Sequence, residues 1–141
     1  MKILITGGSG FIGRHLINKL CSHNHDIYNI DKTINPSLDI NKQKIIDLYD
    51  INVNDSFFNN IDCIIHLAAM VSVPKSFDDP INSFGNNVFL TMKLLSAAHL
   101  HGIKKFMFAS SAAVYGNKEG VVSENDIVEP NSPYGLDKYT C

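Results

Sequence analysis

The stretch ITGGSGFIG, residues 5–13, decides the fold of this chain, because it places four glycines between two differently patterned apolar segments. Before it, KILIT (2–6) is rich in β-branched residues, which is typical of a strand. After it, Ile12, Leu16 and Leu20 recur every four residues and predict one face of a helix. The order strand, glycine loop, helix is one in which backbone N–H groups and a helix N-terminus bind phosphate.

The glycines fit two spacings of a dinucleotide-binding fingerprint. Gly8, Gly10 and Gly13 match G-x-G-x-x-G, whereas Gly7, Gly10 and Gly13 match G-x-x-G-x-x-G. Either set permits a tight turn, a close approach of the backbone to a pyrophosphate, and close packing of the following helix. The alternative is a glycine-rich turn that binds no ligand.

A second predicted strand, DIYNID (26–31), ends in Asp31, eighteen residues after Gly13. A carboxylate at this place accepts hydrogen bonds from both hydroxyls of an adenosine ribose and repels a 2′-phosphate. Together with the glycine loop, Asp31 therefore predicts a dinucleotide site that prefers NAD to NADP. The alternative role for Asp31 is to cap a strand end.

The rest of the chain alternates strands and helices. Further strands are predicted at 43–47, 62–69 and 104–111, a short helix at 55–60, a helix starting near Tyr134, and a long helix at about 80–100 with the stripe Val88, Met92, Leu95 and His99. This alternation predicts an α/β fold with a doubly wound parallel sheet of Rossmann type. Because the last helix has barely begun at Cys141, we expect one NAD-binding domain over 1–141 that is incomplete at its C-terminal side.

Composition excludes several classes of partner. The formal net charge is −2 with no basic run, so nucleic acid is not expected, and no apolar stretch is long enough to span a membrane. The N-terminus enters a strand pattern directly, and the three cysteines have no metal-type spacing. These features favour a cytoplasmic protein with reduced thiols and no metal site.

Two downstream segments carry side chains suited to proton transfer. FASSAAVYG (108–116) places Ser111 at the end of a predicted strand, where ligands bind in open α/β sheets. SPYGLDKY (132–139) places Tyr134 and Lys138 one helical turn apart on the same face. A free tyrosine titrates near about 10 and is a poor base at neutral pH, but a nearby ammonium favours its phenolate. The alternative for an isolated Tyr-x-x-x-Lys is a surface pair.

With these motifs together, the chain resembles the extended branch of the short-chain dehydrogenase/reductases, most closely its nucleotide-sugar epimerases of the UDP-glucose 4-epimerase type. TGGSGFIG (6–13) matches the T-G-x-x-G-x-x-G of that family, and HLAA (66–69) matches a strand end that lies along the cofactor. The resemblance covers the whole chain and implies an NAD-dependent enzyme, an isomerase. The implied catalytic residues are Ser111, Tyr134 and Lys138.

The resemblance also implies which residues contact NAD. The acidic–aliphatic pair Asp47–Leu48 corresponds to a pair placed around adenine, and Asn87 corresponds to a helix asparagine beside the strand end. The full expected set is Gly7, Gly10, Phe11, Ile12, Gly13, Asp31, Asp47, Leu48, Leu67, Ala68, Ala69, Asn87, Tyr134 and Lys138.

The chemistry implied by the resemblance is transient oxidation of a nucleotide sugar, a UDP-hexose, at its 4-position, with hydride return on the other face. Tyr134 is the expected base, Ser111 steadies the oxygen, and Lys138 binds the nicotinamide ribose. Ala112 and Ala113 stand where the related 4,6-dehydratases carry an Asp–Glu pair, which disfavours elimination of water. Reductases and decarboxylases of the branch stay open, as does a truncated, non-catalytic NAD-binding module.

Three further expectations rest on the resemblance. SVPKS (72–76) resembles a loop of UDP-hexose 4-epimerases. Family members are more than twice as long, so the part that binds the sugar nucleotide is expected to be absent from this chain. Epimerases of this type are commonly homodimers, here through the segment near 80–102 and the helix that starts at Tyr134.

Overall fold

The computed structural model describes residues 1–141 and contains a five-stranded parallel sheet. Its strands are β1 (Lys2–Thr6), β2 (Asp26–Asp31), β3 (Gln43–Ile45), β4 (Cys63–His66) and β5 (Lys105–Phe108). Their order is β3-β2-β1-β4-β5, so the chain moves outward on one side of β1 and then crosses to the other side. This reversal at β1 is the doubly wound, Rossmann-type arrangement predicted from the sequence, which is thereby confirmed.

Five α-helices accompany the sheet: α1 (Phe11–Ser22), α2 (Val73–Asp78), α3 (Pro80–Phe84), α4 (Leu90–Leu100) and α5 (Pro133–Thr140). A π-helical turn, Gly85–Phe89, joins α3 to α4. Short 3₁₀ turns lie at Ile40–Lys42, Leu48–Asp50, Ser56–Phe58 and Ala112–Tyr115. Not one of the helices combines the length and the apolar character needed to cross a membrane.

The chain forms two compact units. The first unit, Met1–Ala68 with Lys93–Ala109, holds the whole sheet and α1. The second unit, Ala69–Met92 with Ser110–Cys141, holds α2, α3 and α5. The glycine loop and the Tyr-x-x-x-Lys segment therefore belong to different units.

The core of the first unit lies between α1 and the sheet. It contains six residues that pack together: Ile3, Ile5, Ile17, Ile27, Cys63 and Ile65. All four residues of β4 are buried, as predicted for a strand covered on both faces. Burial of each isoleucine side chain contributes about 1.5–3 kcal/mol, so this cluster holds α1 against the strands that flank the glycine loop.

The predicted stripe of the long helix is wrong. The buried residues after Val88 are Leu90, Thr91, Leu94, Ala97 and Ala98. Met92 and Leu95, two members of the predicted stripe, are exposed. The buried face instead follows Asn87, Thr91, Leu94 and Ala98 at regular helical spacing. It includes two polar residues, which are buried with hydrogen bonds, so apolar periodicity did not mark it.

The segment SVPKS lies in helix α2 rather than in a loop. Ser72 is its N-cap, with the side-chain oxygen accepting a hydrogen bond from the N–H of Lys75. A helix of six residues is too short for apolar periodicity to indicate it. Ser76 of this helix is fully buried, which no sequence pattern predicted.

Candidate functional site

The glycine loop approaches neighbouring backbone so closely that two of its glycines have no room for a side chain. Gly7 has a φ of +75°, and a Cβ there would lie 2.7 Å from the N of Ala68. A Cβ on Gly13 would lie 2.6 Å from the Cα of Gly8 and closer still to the carbonyl oxygen of Gly7. The loop is therefore pressed between the end of β4 and the first turn of α1.

Four consecutive N–H groups of this loop are already used inside the protein. Gly7 donates to the carbonyl of Ile30 (3.0 Å), and Gly10 donates to the carbonyl of Gly7 (3.1 Å). Gly8 and Ser9 donate to side chains of the β2 strand. Gly7 and Gly10 thus shape the turn, and their N–H groups make hydrogen bonds that stabilise it.

The donors that remain belong to the first turn of α1. The residues Phe11, Ile12 and Gly13 occupy the helical positions whose N–H groups lack an intrahelical acceptor. The N-cap is Gly10, which supplies no side-chain acceptor, and the first turn contains no acidic residue. Phe11 is 77% exposed and Ile12 is 64% exposed. The uncapped turn therefore presents aligned donors and the positive end of the helix dipole to an anion.

Asp31 lies at the carboxyl end of β2, beside the glycine loop. Its Oδ2 accepts the N–H of Ser9 at 2.9 Å, and its Oδ1 accepts the N–H and hydroxyl of Thr33 at 3.1 and 3.3 Å. An ionised carboxylate has about four acceptor positions, so these bonds leave capacity for a ribose hydroxyl. The carboxylate is half-buried and is held in place by the loop that it borders.

Asp47 and Leu48 lie in the segment after β3, and both make contacts within the protein. Asp47 accepts the N–H of Tyr49 at 3.0 Å and pairs with the Lys32 ammonium at 2.7 Å. The hydrogen bond from Lys32, aided by that from Tyr49, lowers the pKa of the Asp47 carboxyl. Leu48 is buried. A contact of either residue with adenine stays a prediction.

The strand end at Leu67 and Ala68 is anchored to β1. Leu67 donates its N–H to the carbonyl of Thr6 at 3.0 Å, and Ala68 donates to the Thr6 hydroxyl at 3.4 Å. The same hydroxyl lies 2.6 Å from Nδ1 of the buried His66. The first unit thus brings Leu67 and Ala68, the two residues that follow β4, against the glycine loop, because Gly7 packs on Ala68.

In the second unit, Ser111 caps the 3₁₀ turn Ala112–Tyr115. Its Oγ accepts the N–H of Ala113 at 3.2 Å, and the side chain is half-buried. Helix α5 packs directly on this turn, since a Cβ on Gly135 would lie 2.6 Å from the carbonyl oxygen of Ala113. The absence of a side chain at Gly135 therefore lets α5 lie against the turn that carries Ser111.

Tyr134 and Lys138 lie on the buried face of α5. They are 7% and 5% exposed, and the Lys138 Nζ lies 5.9 Å from the centroid of the Tyr134 ring. The alternative of a surface pair is therefore wrong. Ser132 caps the helix by accepting the N–H of Gly135 at 3.0 Å, and Ser76 of α2 accepts the N–H of Tyr134 at 3.1 Å.

Burial also changes the chemistry of the lysine. Desolvation lowers the pKa of Lys138, and the charges of Cys141 and Asp137 oppose that effect. A buried ammonium is stabilised by an anion placed beside it, so an anionic group next to Lys138 would offset the cost of burying its charge.

Asn87 is fully engaged in contacts within the second unit. Its Oδ1 accepts the N–H of Met70 at 3.0 Å, and its Nδ2 donates to the Met70 carbonyl at 3.2 Å and to Oδ2 of Asp137 at 3.1 Å. The observed contacts give Asn87 a positioning role on the segment that begins at Ala69. Its contact with a cofactor stays a prediction.

Asp137 was not singled out from the sequence, although it is buried and structured. Its Oδ2 accepts the Ser83 hydroxyl at 2.6 Å in addition to the Asn87 amide. Its position in the sequence could have pointed to it, because residues 134, 137 and 138 share one helix face. A polar residue on the face of the Tyr–Lys pair is expected to point inward with them.

The parallel sheet, the glycine loop between β1 and α1, and the carboxylate at the end of β2 define a dinucleotide-binding protein of Rossmann type. The chain belongs to the NAD dependent epimerase/dehydratase family, whose model matches residues 3–141. The family predicted from the motifs is thereby confirmed.

The chain is similar to several proteins that are named for sugar nucleotides. It is 35% identical over 150 residues to UDP-glucose 4-epimerase from Lacticaseibacillus casei, covering 98% of this chain and 44% of that relative. MoeE5, solved in complex with UDP-glucose and NAD, is 33% identical with a TM-score of 0.92, over 99% of this chain and 46% of MoeE5. The UDP-Glc/GlcNAc 4-epimerase from Campylobacter jejuni is 32% identical with a TM-score of 0.88, over 99% and 46%. The chain thus spans less than half the length of each of these proteins.

Proposed function

We propose that this chain is the NAD-binding and catalytic part of a nucleotide-sugar 4-epimerase that acts on a UDP-hexose. The observation that carries the proposal is the buried pair of Tyr134 and Lys138 on α5, in a chain of this family. Burial of both side chains sets the pair apart from a chance surface spacing. The solved relative MoeE5 carries UDP-glucose and NAD, which supports both the substrate class and the cofactor.

The first unit fits the adenosine diphosphate part of NAD. The uncapped first turn of α1, at Phe11, Ile12 and Gly13, suits the diphosphate because its N–H groups lack helical acceptors. Asp31 suits the ribose hydroxyls. No positive side chain is needed at the loop, since the helix end supplies partial positive charge.

The second unit supplies the proton chemistry. NAD, when bound, supplies reversible oxidation of the sugar carbon. Tyr134, as phenolate, takes the proton of the sugar 4-hydroxyl and returns it when the carbonyl is reduced. The Lys138 ammonium stabilises that phenolate, and the Ser111 hydroxyl donates a hydrogen bond to the sugar oxygen. Ser111 is suited to this because its N-cap bond uses only acceptor capacity of the oxygen and leaves its proton free to be donated.

Epimerisation is favoured over dehydration by the 3₁₀ turn after Ser111. Its first two residues are Ala112 and Ala113, which have no proton to exchange. Elimination of water needs an acid and a base at that place. A non-catalytic NAD-binding module is the second candidate, since the glycine loop and Asp31 lie in the first unit and Tyr134 and Lys138 lie in the second.

Calorimetric titration of this 141-residue chain with NAD, and separately with NADP, tests the cofactor part of the proposal. We expect binding of NAD and weaker binding of NADP. A folded chain that binds neither nucleotide would contradict the assignment of the loop and Asp31. Assay of the full-length gene product with UDP-glucose, following formation of the 4-epimer by NMR, tests the catalytic part.

Replacing Asp31 by asparagine is expected to reduce the preference for NAD over NADP. Asparagine still accepts the N–H of Ser9, but it no longer repels a 2′-phosphate. The dissociation constant for NADP divided by that for NAD should therefore fall about tenfold. Calorimetry on both nucleotides measures this ratio. Asp39→Asn is the control, because Asp39 is an exposed N-cap that asparagine replaces well. An unchanged ratio would mean that Asp31 does not read the ribose.

We further propose that the protein is a homodimer through the second unit. Helices α3 and α5 expose the apolar side chains Ile81, Phe84, Leu136 and Tyr139. An exposed apolar face of this kind marks an interaction surface. Its position agrees with the segments expected from the family.

Leu136→Glu is expected to convert the dimer to a monomer, because it places a charge in the apolar face. Light scattering on the purified protein measures the mass. Lys19→Glu, on an exposed position of α1, should leave the mass unchanged. A dimer that survives Leu136→Glu would place the interface elsewhere.

A cytoplasmic location is also proposed. The three cysteines, Cys21, Cys63 and Cys141, are all free thiols. Free thiols are typical of a reducing compartment.

A further inference from the structure

Beneath the glycine loop lies a cluster of buried amide side chains that the motif does not include. Asn29 and Asn35 are both 0% exposed, and Gln43 is buried. Burying an amide without partners costs several kcal/mol, so three in one place need a common set of hydrogen bonds. Two of those hydrogen bonds join the amide side chains to the backbone of the glycine loop.

The amides hold Gly8 from both sides. Oδ1 of Asn29 accepts the N–H of Gly8 at 3.0 Å, and Nδ2 of Asn35 donates to the carbonyl oxygen of Gly8 at 2.8 Å. The N–H of Ser9 belongs to the same peptide unit as that carbonyl, and it donates to Asp31 at 2.9 Å. The Gly8–Ser9 peptide is thus held at its oxygen and at its hydrogen.

Gln43 in turn fixes Asn35. Its Oε1 accepts the N–H of Asn35 at 2.7 Å, and its Nε2 donates to the carbonyls of Asn35 and Leu38, each at 2.9 Å. The side chain of Gln43 thereby replaces a strand partner for the segment after β2. Asn35 cannot turn away from Gly8 without breaking these bonds.

Resting on the proposed function, we propose that Asn29, Asn35 and Gln43 form an amide clamp of positioning residues, which fixes the glycine loop for the diphosphate of the dinucleotide before it binds. Loops that are ordered before binding lose less conformational entropy on binding. Asp31, which accepts the N–H of the Gly8–Ser9 peptide that the clamp holds, also belongs to the predicted ribose site. The clamp therefore joins recognition of the ribose to recognition of the diphosphate.

Asn35→Asp tests the clamp most directly, because aspartate has the same shape but cannot donate to the Gly8 carbonyl. We expect affinity for NAD and for ADP-ribose to fall about 10- to 100-fold, while the affinity for adenosine, measured by ligand-observed NMR, stays the same. Gln43→Glu is the second variant, acting one step further from the loop, and a smaller loss is expected. Asn41→Asp, on the exposed surface, is the control.

Amide hydrogen exchange without any nucleotide separates the two proposals. In Asn35→Asp the amides of Gly8 and Ser9 should exchange at least about tenfold faster, whereas the amide of Ile64 in β4 should keep its protection. If the wild-type chain binds no nucleotide but the variant shows this faster exchange, the proposed function is overturned and the clamp is supported. Unchanged exchange at Gly8 and Ser9, or an equal loss of adenosine and NAD affinity, would overturn the clamp.

Discussion

Tyr134→Phe in the full-length gene product is expected to lower kcat for epimerisation about 10²- to 10⁴-fold, which is the usual contribution of a general acid–base group. The phenyl ring preserves the buried packing beside Lys138, and only the hydroxyl that exchanges the proton is removed. NAD affinity and the melting temperature should therefore stay at wild-type values. Turnover is measured by NMR detection of the 4-epimer, and affinity by calorimetry.

Tyr139→Phe is the matched control for that experiment. Tyr139 lies on the same helix but is 59% exposed, whereas Tyr134 is 7% exposed. Loss of the Tyr139 hydroxyl should leave kcat unchanged. Near-normal turnover in Tyr134→Phe would remove this residue from the chemistry and, with it, the role assigned to the buried pair.

Gly13→Ala is expected to have the largest effect on the first unit. The added methyl group would meet the Cα of Gly8 at 2.6 Å and the carbonyl oxygen of Gly7, and backbone atoms cannot turn aside as a flexible side chain does. Overpacking of this kind costs about 1–3 kcal/mol or more. We expect a loss of at least about 3 kcal/mol in the free energy of unfolding, together with loss of NAD binding.

Gly10→Ala provides the comparison within the same loop. Gly10 has a φ of −72°, which alanine adopts, and a Cβ there would lie 3.2 Å from the carbonyl oxygen of Gly7. The expected cost is about 1 kcal/mol or less, as for an N-cap change from glycine. Denaturant unfolding measures both variants. Equal stability of the two would mean that the close approach at Gly13 does not constrain the loop.

Local pattern was sufficient to predict much of the fold. The run at 2–6, the glycines and the four-residue spacing on α1 each report local geometry, so strand, turn and helix were predicted in the correct order. The same holds for Tyr134 and Lys138, whose spacing of four places them on one helix face. Their burial is a tertiary property and could not be predicted from the spacing.

Apolar periodicity failed to predict two features of the helices. The buried face that leads into α4 includes the polar side chains of Asn87 and Thr91, which are buried because they are hydrogen-bonded, and apolar spacing does not mark such a face. Helix α2 is too short to show a period. Both features lie in the second unit, where Ser76 and Asn87 then hold α5 and Met70 through side-chain hydrogen bonds.

The sequence by itself determined the order of the elements, the glycine turn, the carboxylate at the end of β2 and the Tyr–Lys spacing, because each depends on residues close together in the chain. Only the tertiary structure decided which backbone N–H groups of the glycine loop bind within the protein and which, in the first turn of α1, lack a helical acceptor. Asn29 and Asn35 reach Gly8 across 21 and 27 residues, and Asn87 reaches Asp137 across 50. Such partners meet only when the sheet and helices pack, since burial then forces each polar group to find an acceptor or a donor.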